Sequence, residues 1–196
     1  MSGETRRVLL PVADGVEELE AVAVVDILRR AGCEVVVASV GGMEVTGRNG
    51  MKIVADASLA AAVEAPFEEK EEEGKRGWDF VVIPGGGAGV ERLRGEPALR
   101  RLLQRQAQAH RGVAAICAGP LLLADAGILE GRRATCHRSV EGDLGNVRLV
   151  QLPVVEDGFV VTSRGPGTAV EFALRLVRRL AGPQVEEEIR RQIHAS

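Results

Sequence analysis

Four short runs in the chain are apolar from end to end, and each is followed within a few residues by glycine: Val8–Ala13 (VLLPVA), Val35–Ala38 (VVVA), Phe80–Ile83 (FVVI) and Val113–Ile116 (VAAI). A strand with one wet face alternates polar and apolar residues. One that is apolar throughout needs cover on both faces, the condition of a strand inside a parallel sheet. Stretches with helical spacing lie between the runs. Leu19, Val22, Ala23, Ile27 and Arg30 recur along one, with Glu17, Glu18 and Glu20 near its start and Gly32 as its stop; others span Leu99–Ala109 and Leu121–Ala126. Short strands alternating with helices predict an α/β fold with a doubly wound, mostly parallel sheet. At 196 residues the chain is long enough for one well-buried core and too short for two ordinary ones, so a single domain over 1–196 is expected.

The remaining segments fit round this sheet. Gly41–Val54 reads as a hairpin turning at 47–50, and Glu156–Gly158 as the turn of an antiparallel pair. Helices are expected from about Thr168 to Leu180 and from Val185 to Ile193. Residues 64–77 carry five nearly consecutive glutamates (Glu68, Glu69, Glu71, Glu72, Glu73) and no periodic apolar face, so they read as a charged surface insertion.

Charge narrows the function classes. Twenty-five basic and 28 acidic residues are well mixed and leave a net charge of -3, with no basic stripe to follow a phosphate backbone, so no nucleic acid partner is expected. The first apolar run is far shorter than a membrane span or an export signal, and three cysteines without CxxC spacing make no disulfide framework. No membrane association and a reducing, cytoplasmic location are the expectation.

Ligands of such sheets bind beyond the carboxyl ends of the strands. Cys117 lies at one of these ends, between a strand and a helix, with small Ala118 and Gly119 beside it and Pro120 suited to a helix's first turn. That is the layout of a nucleophile elbow, in which the helix's positive end favours thiolate over thiol. A buried, inert cysteine fits the same local sequence. At the end of the neighbouring run, Pro84–Gly87 supplies glycines whose backbone N–H groups can face the same pocket, so Gly86 and Ala118 together would form an oxyanion hole. A plain flexible turn is the alternative; neither nucleotide-loop pattern can be written onto these residues. Glu20 is either an acid at the mouth of this face or a solvent-facing partner of the helix dipole, like Glu17 and Glu18. Of three histidines (His110, His137, His194), His137 lies 20 residues past Cys117 at the close of an expected strand, where it can act as a proton carrier. No paired metal-ligand spacing is present, so neither metal nor cofactor is expected.

Four segments, Gly15–Glu20 (GVEELE), Val82–Gly86 (VIPGG), Ala115–Pro120 (AICAGP) and Thr162–Thr168 (TSRGPGT), resemble the signature segments of the ThiJ/PfpI family, in order and at the right spacing. The likeness runs from about Arg7 to Leu180 and is greatest to the parkinsonism-associated deglycase branch. It implies a flavodoxin-like, class I glutamine-amidotransferase-like domain assembled as a homodimer. By the same resemblance Cys117 is the reactive cysteine, Glu20 the buried carboxylic acid, His137 the nearby histidine, and Gly86 and Ala118 the oxyanion-hole donors. Arg30 and Arg48 match arginines that approach the partner's site. The chain departs from the family's other branches. Ala118 stands where proteases of the family carry a histidine, and Ser139 where amidotransferases carry a carboxylate two residues beyond theirs.

The implied activity is a glutathione-independent glyoxalase and protein deglycase acting on methylglyoxal, glyoxal or glycated proteins. The alternative is a redox-sensing chaperone whose Cys117 is oxidised to sulfinate, and a silent dimeric scaffold is a third reading. Cys33 reads as structural. Cys136 is a secondary oxidation site whose side chain points to the opposite face from the His137 side chain.

Overall fold

The computed structural model describes residues 5–64 and 77–195. In chain order the strands and helices are β1 (Arg7–Val12), α1 (Glu18–Arg30), β2 (Glu34–Ser39), β3 (Glu44–Thr46), β4 (Lys52–Val54), β5 (Ala57–Ser58), α2 (Leu59–Val63), β6 (Phe80–Ile83), α3 (Gly87–Arg94), α4 (Pro97–Gln108), β7 (Gly112–Ile116), α5 (Pro120–Asp125), β8 (Arg133–Ala134), β9 (Arg148–Leu149), β10 (Val154–Asp157), β11 (Val160–Ser163), α6 (Ala169–Ala181) and α7 (Pro183–Gln192). Seven strands form one sheet in the order β10-β11-β7-β6-β1-β2-β5, parallel except for the edge pair β10/β11.

The unbroken apolar runs are buried on both faces, and the period of two sorts their side chains. Val8, Leu10 and Val12 of β1 join the core under α1 and α6, while Leu9 joins the one under α4 and α5. In β7, Ala114 and Ile116 go to the first core and Val113 and Ala115 to the second. Phe172, fully buried, anchors α6 on the first face. From β1 the chain winds outward through β2 to β5, then crosses back to β6 on the other side of β1. The order therefore reverses between β1 and β6, the point at which such sheets open a crevice for ligands. With β7 beside β6, the loops after β1, β6 and β7 lie next to one another at the same sheet edge.

The expected hairpin is β3/β4, with Val45 opposite Ile53, and the second antiparallel pair is β10/β11. Two helices were not legible. α3 opens on Gly87-Ala-Gly and carries too few apolar residues to show a period, while α2 is a single short turn capped by the Ser58 side chain. The charged insertion expected at 64–77 lies, apart from its two end residues, outside the described residues. β8 is also shorter than expected. It ends at Ala134, so His137 does not close a strand but caps a 3-10 turn over Arg138–Asp143.

Candidate active site

Cys117 follows β7 directly and takes φ 63°, in the left-handed region that side chains other than glycine rarely adopt. Such a residue costs on the order of 1–3 kcal/mol and persists only where its surroundings over-determine it. Here its N–H donates to the Ser163 carbonyl at the end of β11 (3.0 Å), and its carbonyl accepts from the His137 N–H (2.8 Å). Held on both sides, the tight turn lifts the side chain out of the sheet, the geometry expected of an elbow. The thiol is buried, with 6% of the residue exposed.

Glu20 arrives from the first turn of α1. Glu17 is the N-cap residue and accepts the Glu20 N–H through its side chain (2.8 Å), which sets the helix's start. Glu20 is fully buried, and its Oε2 accepts the Gly85 N–H at 2.7 Å. A methyl group on Gly85 would lie 2.6 Å from Glu20 Oε2, 2.6 Å from Cys117 Cβ and 3.0 Å from Cys117 Sγ. The carboxyl and the thiol thus flank one glycine. Glu20 Oε1 is buried without a conventional hydrogen-bond partner. Glu17 and Glu18 are not solvent-facing as the sequence suggested, being only 6% exposed each. The Glu18 carboxylate accepts the Asn49 N–H (2.7 Å) and side-chain amide (2.9 Å), bolting the hairpin tip to the start of α1.

Burial is the largest influence on Glu20 and pushes its carboxyl from 4.5 up to about 7; the Gly85 N–H and the Cys117 thiol act against it, Glu17 adds to it, and Arg48 lowers it. Burial also leads at Cys117, joined by the charge and hydrogen bond of Glu20, and together they push the thiol up to about 12. The N–H groups of Ala118 and Gly86 oppose that rise by bonding the sulfur. A thiolate held by the helix end alone is therefore not what stands here. α5 has only six residues, and the sulfur is served by two loop N–H groups and one carboxyl. As pH rises through about 7 the carboxyl and thiol pass from two protons to one between them, and the pair titrates as a unit.

Gly86 (φ 92°) is in the conformation glycine alone enters freely, and a Cβ there would run into the Gly15 carbonyl. The Glu17 N–H donates to the Gly85 carbonyl at 3.0 Å, so the loops after β1 and β6 are fixed to each other.

His137 is exposed, and its backbone bond to Cys117 brings it to the site. Its ring Nδ1 accepts the Ser139 N–H at 3.2 Å and lies 2.8 Å from Ser139 Oγ. Ser139, noted in the sequence only as a missing carboxylate, is thus the histidine's partner. Arg48 is exposed on the hairpin tip, donates its N–H to the Val16 carbonyl (2.9 Å), and exerts its charge on Glu20 of its own chain. Arg30 is ten residues beyond Glu20 on α1, about 15 Å along the axis, and pairs with Asp26 at 2.8 Å. Within one protomer it is remote from the thiol. Cys33 and Cys136 are buried, and Cys136 packs in the opposite core from Cys117. Among the described residues no group of three or more His, Cys, Asp or Glu is placed to hold a metal ion, and no helix is long and apolar enough to cross a membrane.

Comparison with known proteins follows the same residues. The profile of the DJ-1/PfpI family matches residues 6–179. Protein DJ-1 homolog B of Arabidopsis thaliana is 38% identical over 180 residues, covering 91% of this chain and 39% of that protein, so the chain spans well under half the plant relative's length. Glutathione-independent glyoxalase DJR-1.2 of Caenorhabditis elegans is 36% identical over 179 residues, 90% of this chain and 89% of that one. The crystal structure of Drosophila melanogaster DJ-1beta superposes with a TM-score of 0.89 at 35% identity, covering 98% of this chain and all of that one.

Proposed function

Because the chain belongs to the DJ-1/PfpI family, we propose that it is a cysteine-dependent, glutathione-independent glyoxalase of the hydro-lyase type, converting methylglyoxal to lactate and glyoxal to glycolate. The observation that carries this reading is the Glu20 carboxyl, fully buried, bonded to Gly85 N–H and set against the Cys117 sulfur. A carboxyl that titrates near neutrality can take and return a proton with little penalty in either direction.

The chemistry balances without a cofactor. Cys117 sulfur adds to the aldehyde carbon; its proton passes to Glu20 and on to the new alkoxide, which forms against the N–H groups of Gly86 and Ala118. The product is a hemithioacetal beside a Glu20 carboxylate. Glu20 then removes the hydrogen of that carbon as a proton and returns it to the neighbouring carbon. His137 carries the matching proton between the two oxygens. The result is a lactate thioester, which water hydrolyses to lactate and free thiol. Removing free dicarbonyl also draws early adducts off glycated proteins by mass action, so the deglycase description follows from the same step.

Two further features complete the reading. Leu19, Val22, Met51 and Val54 are exposed at 43 to 72% on α1 and the β3/β4 hairpin, a face we assign to the homodimer. Arg30 on that helix would then reach the partner's site. Oxidation of the same thiol to sulfinate is favoured by one observation, the protonatable Glu20 beside it, which can donate a hydrogen bond to the product.

The test is lactate production from methylglyoxal without added thiols, by the native chain, Cys117→Ser and Glu20→Gln. Turnover by the native chain that both variants abolish supports the mechanism; no lactate from the native chain removes it. Intact mass after mild peroxide then examines oxidation, which requires two added oxygens that Cys117→Ser does not take up.

A further inference from the structure

From the contacts of the 3-10 turn we infer that Ser139 is a positioning residue which fixes His137 in one tautomer, proton on Nε2, so that the imidazole serves the reacting oxygens as a hydrogen-bond and proton donor and is not the base that takes the carbon-bound proton. This rests on the proposed glyoxalase reading for its catalytic consequence, though not for the tautomer itself.

The inference starts from a donor whose role is not adjustable. A backbone N–H can only donate, and that of Ser139 points at His137 Nδ1 at 3.2 Å. Nδ1 must therefore present its lone pair, and the neutral ring carries its proton on Nε2. The Ser139 hydroxyl, 2.8 Å from the same nitrogen, can donate to it as well. Should the ring become protonated, the hydroxyl turns and accepts from Nδ1–H, whereas the backbone N–H cannot. A carboxylate at this position would favour the imidazolium; a hydroxyl stabilises the neutral ring.

Two hydrogen bonds place the residue: its N–H is tied to the Cys117 carbonyl at 2.8 Å, and its ring caps the turn through Nδ1. The ring's Cδ2 faces Gly165, 3.6 Å from where a Cβ there would stand. Gly165 follows the strand end whose Ser163 carbonyl receives the Cys117 N–H. The Cδ2–Nε2 edge thus runs along the segment that holds the elbow. A neutral imidazole donating from Nε2 polarises a carbonyl and stabilises an enediolate oxygen without adding a competing base. Glu20 is then the sole group that moves the carbon-bound proton.

The experiment is nitrogen-15 NMR of the histidine side chains at neutral pH, read with steady-state kinetics. Only three histidines are present, so the His137 signals are those lost in His137→Gln. The native chain should show a protonated Nε2 and a bare Nδ1. Ser139→Ala keeps the backbone N–H and loses only the hydroxyl, so the proton should stay on Nε2 while the Nδ1 signal shifts with the lost bond, and kcat should fall about two- to tenfold, the worth of one hydrogen bond, with KM unchanged. Ser139→Thr, which keeps the hydroxyl, should restore both readouts. A native ring protonated on Nδ1, or a Ser139→Ala protein with unaltered ring signals and kcat, overturns the assignment. If the native chain makes no lactate yet the ring signals behave as stated, the glyoxalase reading fails and the positioning of His137 by Ser139 stands.

Discussion

Replacing Glu20 by glutamine should remove a pH dependence of stability that the native chain carries. The carboxyl is fully buried and its folded-state value is about 7, against 4.5 for the free group. Folding raises it, so the protonated form is the one the native state prefers. Its contribution is complete below pH 4.5 and is lost as pH climbs to about 7, because over that window the unfolded chain has released the proton and the folded chain has not. At about 1.4 kcal/mol per pH unit the loss amounts to about 3 kcal/mol. Glutamine is close in shape, and its carbonyl can still accept the Gly85 N–H. Every other titrating group is common to the two proteins, and the Cys117 thiol, which Glu20 shifts, stays protonated folded and unfolded over this window, so they cancel in the comparison.

The assay is urea unfolding of both proteins at half-unit steps from pH 4.5 to 8.5. The native chain should weaken relative to Glu20→Gln by about 3 kcal/mol between pH 4.5 and 7 and run parallel to it above. A difference constant to within about 1 kcal/mol refutes the reasoning. The carboxyl would then be ionised in the folded protein well below neutrality, and it would have no proton to exchange with the sulfur or with substrate at physiological pH.

Gly85→Ala should lower stability by about 1–3 kcal/mol and turnover about a hundredfold, since the methyl group would stand 2.6 Å from both Cys117 Cβ and Glu20 Oε2. Gly87→Ala, where nothing lies within 4 Å, should leave lactate production and urea midpoint unchanged. The pH profile of kcat/KM should rise through about 7 as the Glu20–Cys117 pair sheds its first proton, and a rate that does not change across neutral pH refutes a proton shuttle at Glu20. Val54→Asp, at a position 72% exposed in the protomer, should yield a monomer by analytical ultracentrifugation, and a persistent dimer would place the interface elsewhere.

The parts of the fold legible in the sequence are those set by local physics. An apolar run buried on both faces identifies itself, and so do the hairpin's glycines and the stop at Gly32. α3 was not legible because its first turn is Gly-Ala-Gly; its cover over the sheet comes from Val90 and Leu93, too few to make a period. The buried state of Glu17 and Glu18 was hidden for a different reason. The Gly85 carbonyl that anchors the Glu17 backbone and the Asn49 groups that bind the Glu18 carboxylate are distant in sequence, and a glutamate at a helix start reads as exposed unless such tertiary partners are known. The meeting of Cys117 with Glu20 spans nearly a hundred residues; helix placement left Glu20 open between a site acid and an exposed dipole partner, and the family's ordered segments pointed to the first. Nothing in the sequence pointed to Ser139 as the partner of His137, because a serine in a polar turn carries no signal of its own.

Burial of the sulfur also bears on which carbonyl it meets. With Cys117 6% exposed and a carboxyl, two backbone N–H groups and Gly85 packed round it, the approach suits a slender, free dicarbonyl better than one already bound to a protein side chain. An adduct on the surface of a folded protein would have to push its own backbone against the loops after β1 and β6, fixed to each other by the Glu17–Gly85 bond, and the loop after β7, fixed to the end of β11 by the Cys117–Ser163 bond. Clearance of early adducts should therefore proceed by spontaneous release followed by capture. If so, raising the enzyme concentration speeds adduct loss only until every released dicarbonyl is trapped, and the limiting rate equals that reached with an excess of a small-molecule dicarbonyl scavenger. A limiting rate well above the scavenger's would mean that the thiol reaches bound adducts directly, and that these loops open more than their hydrogen bonds imply.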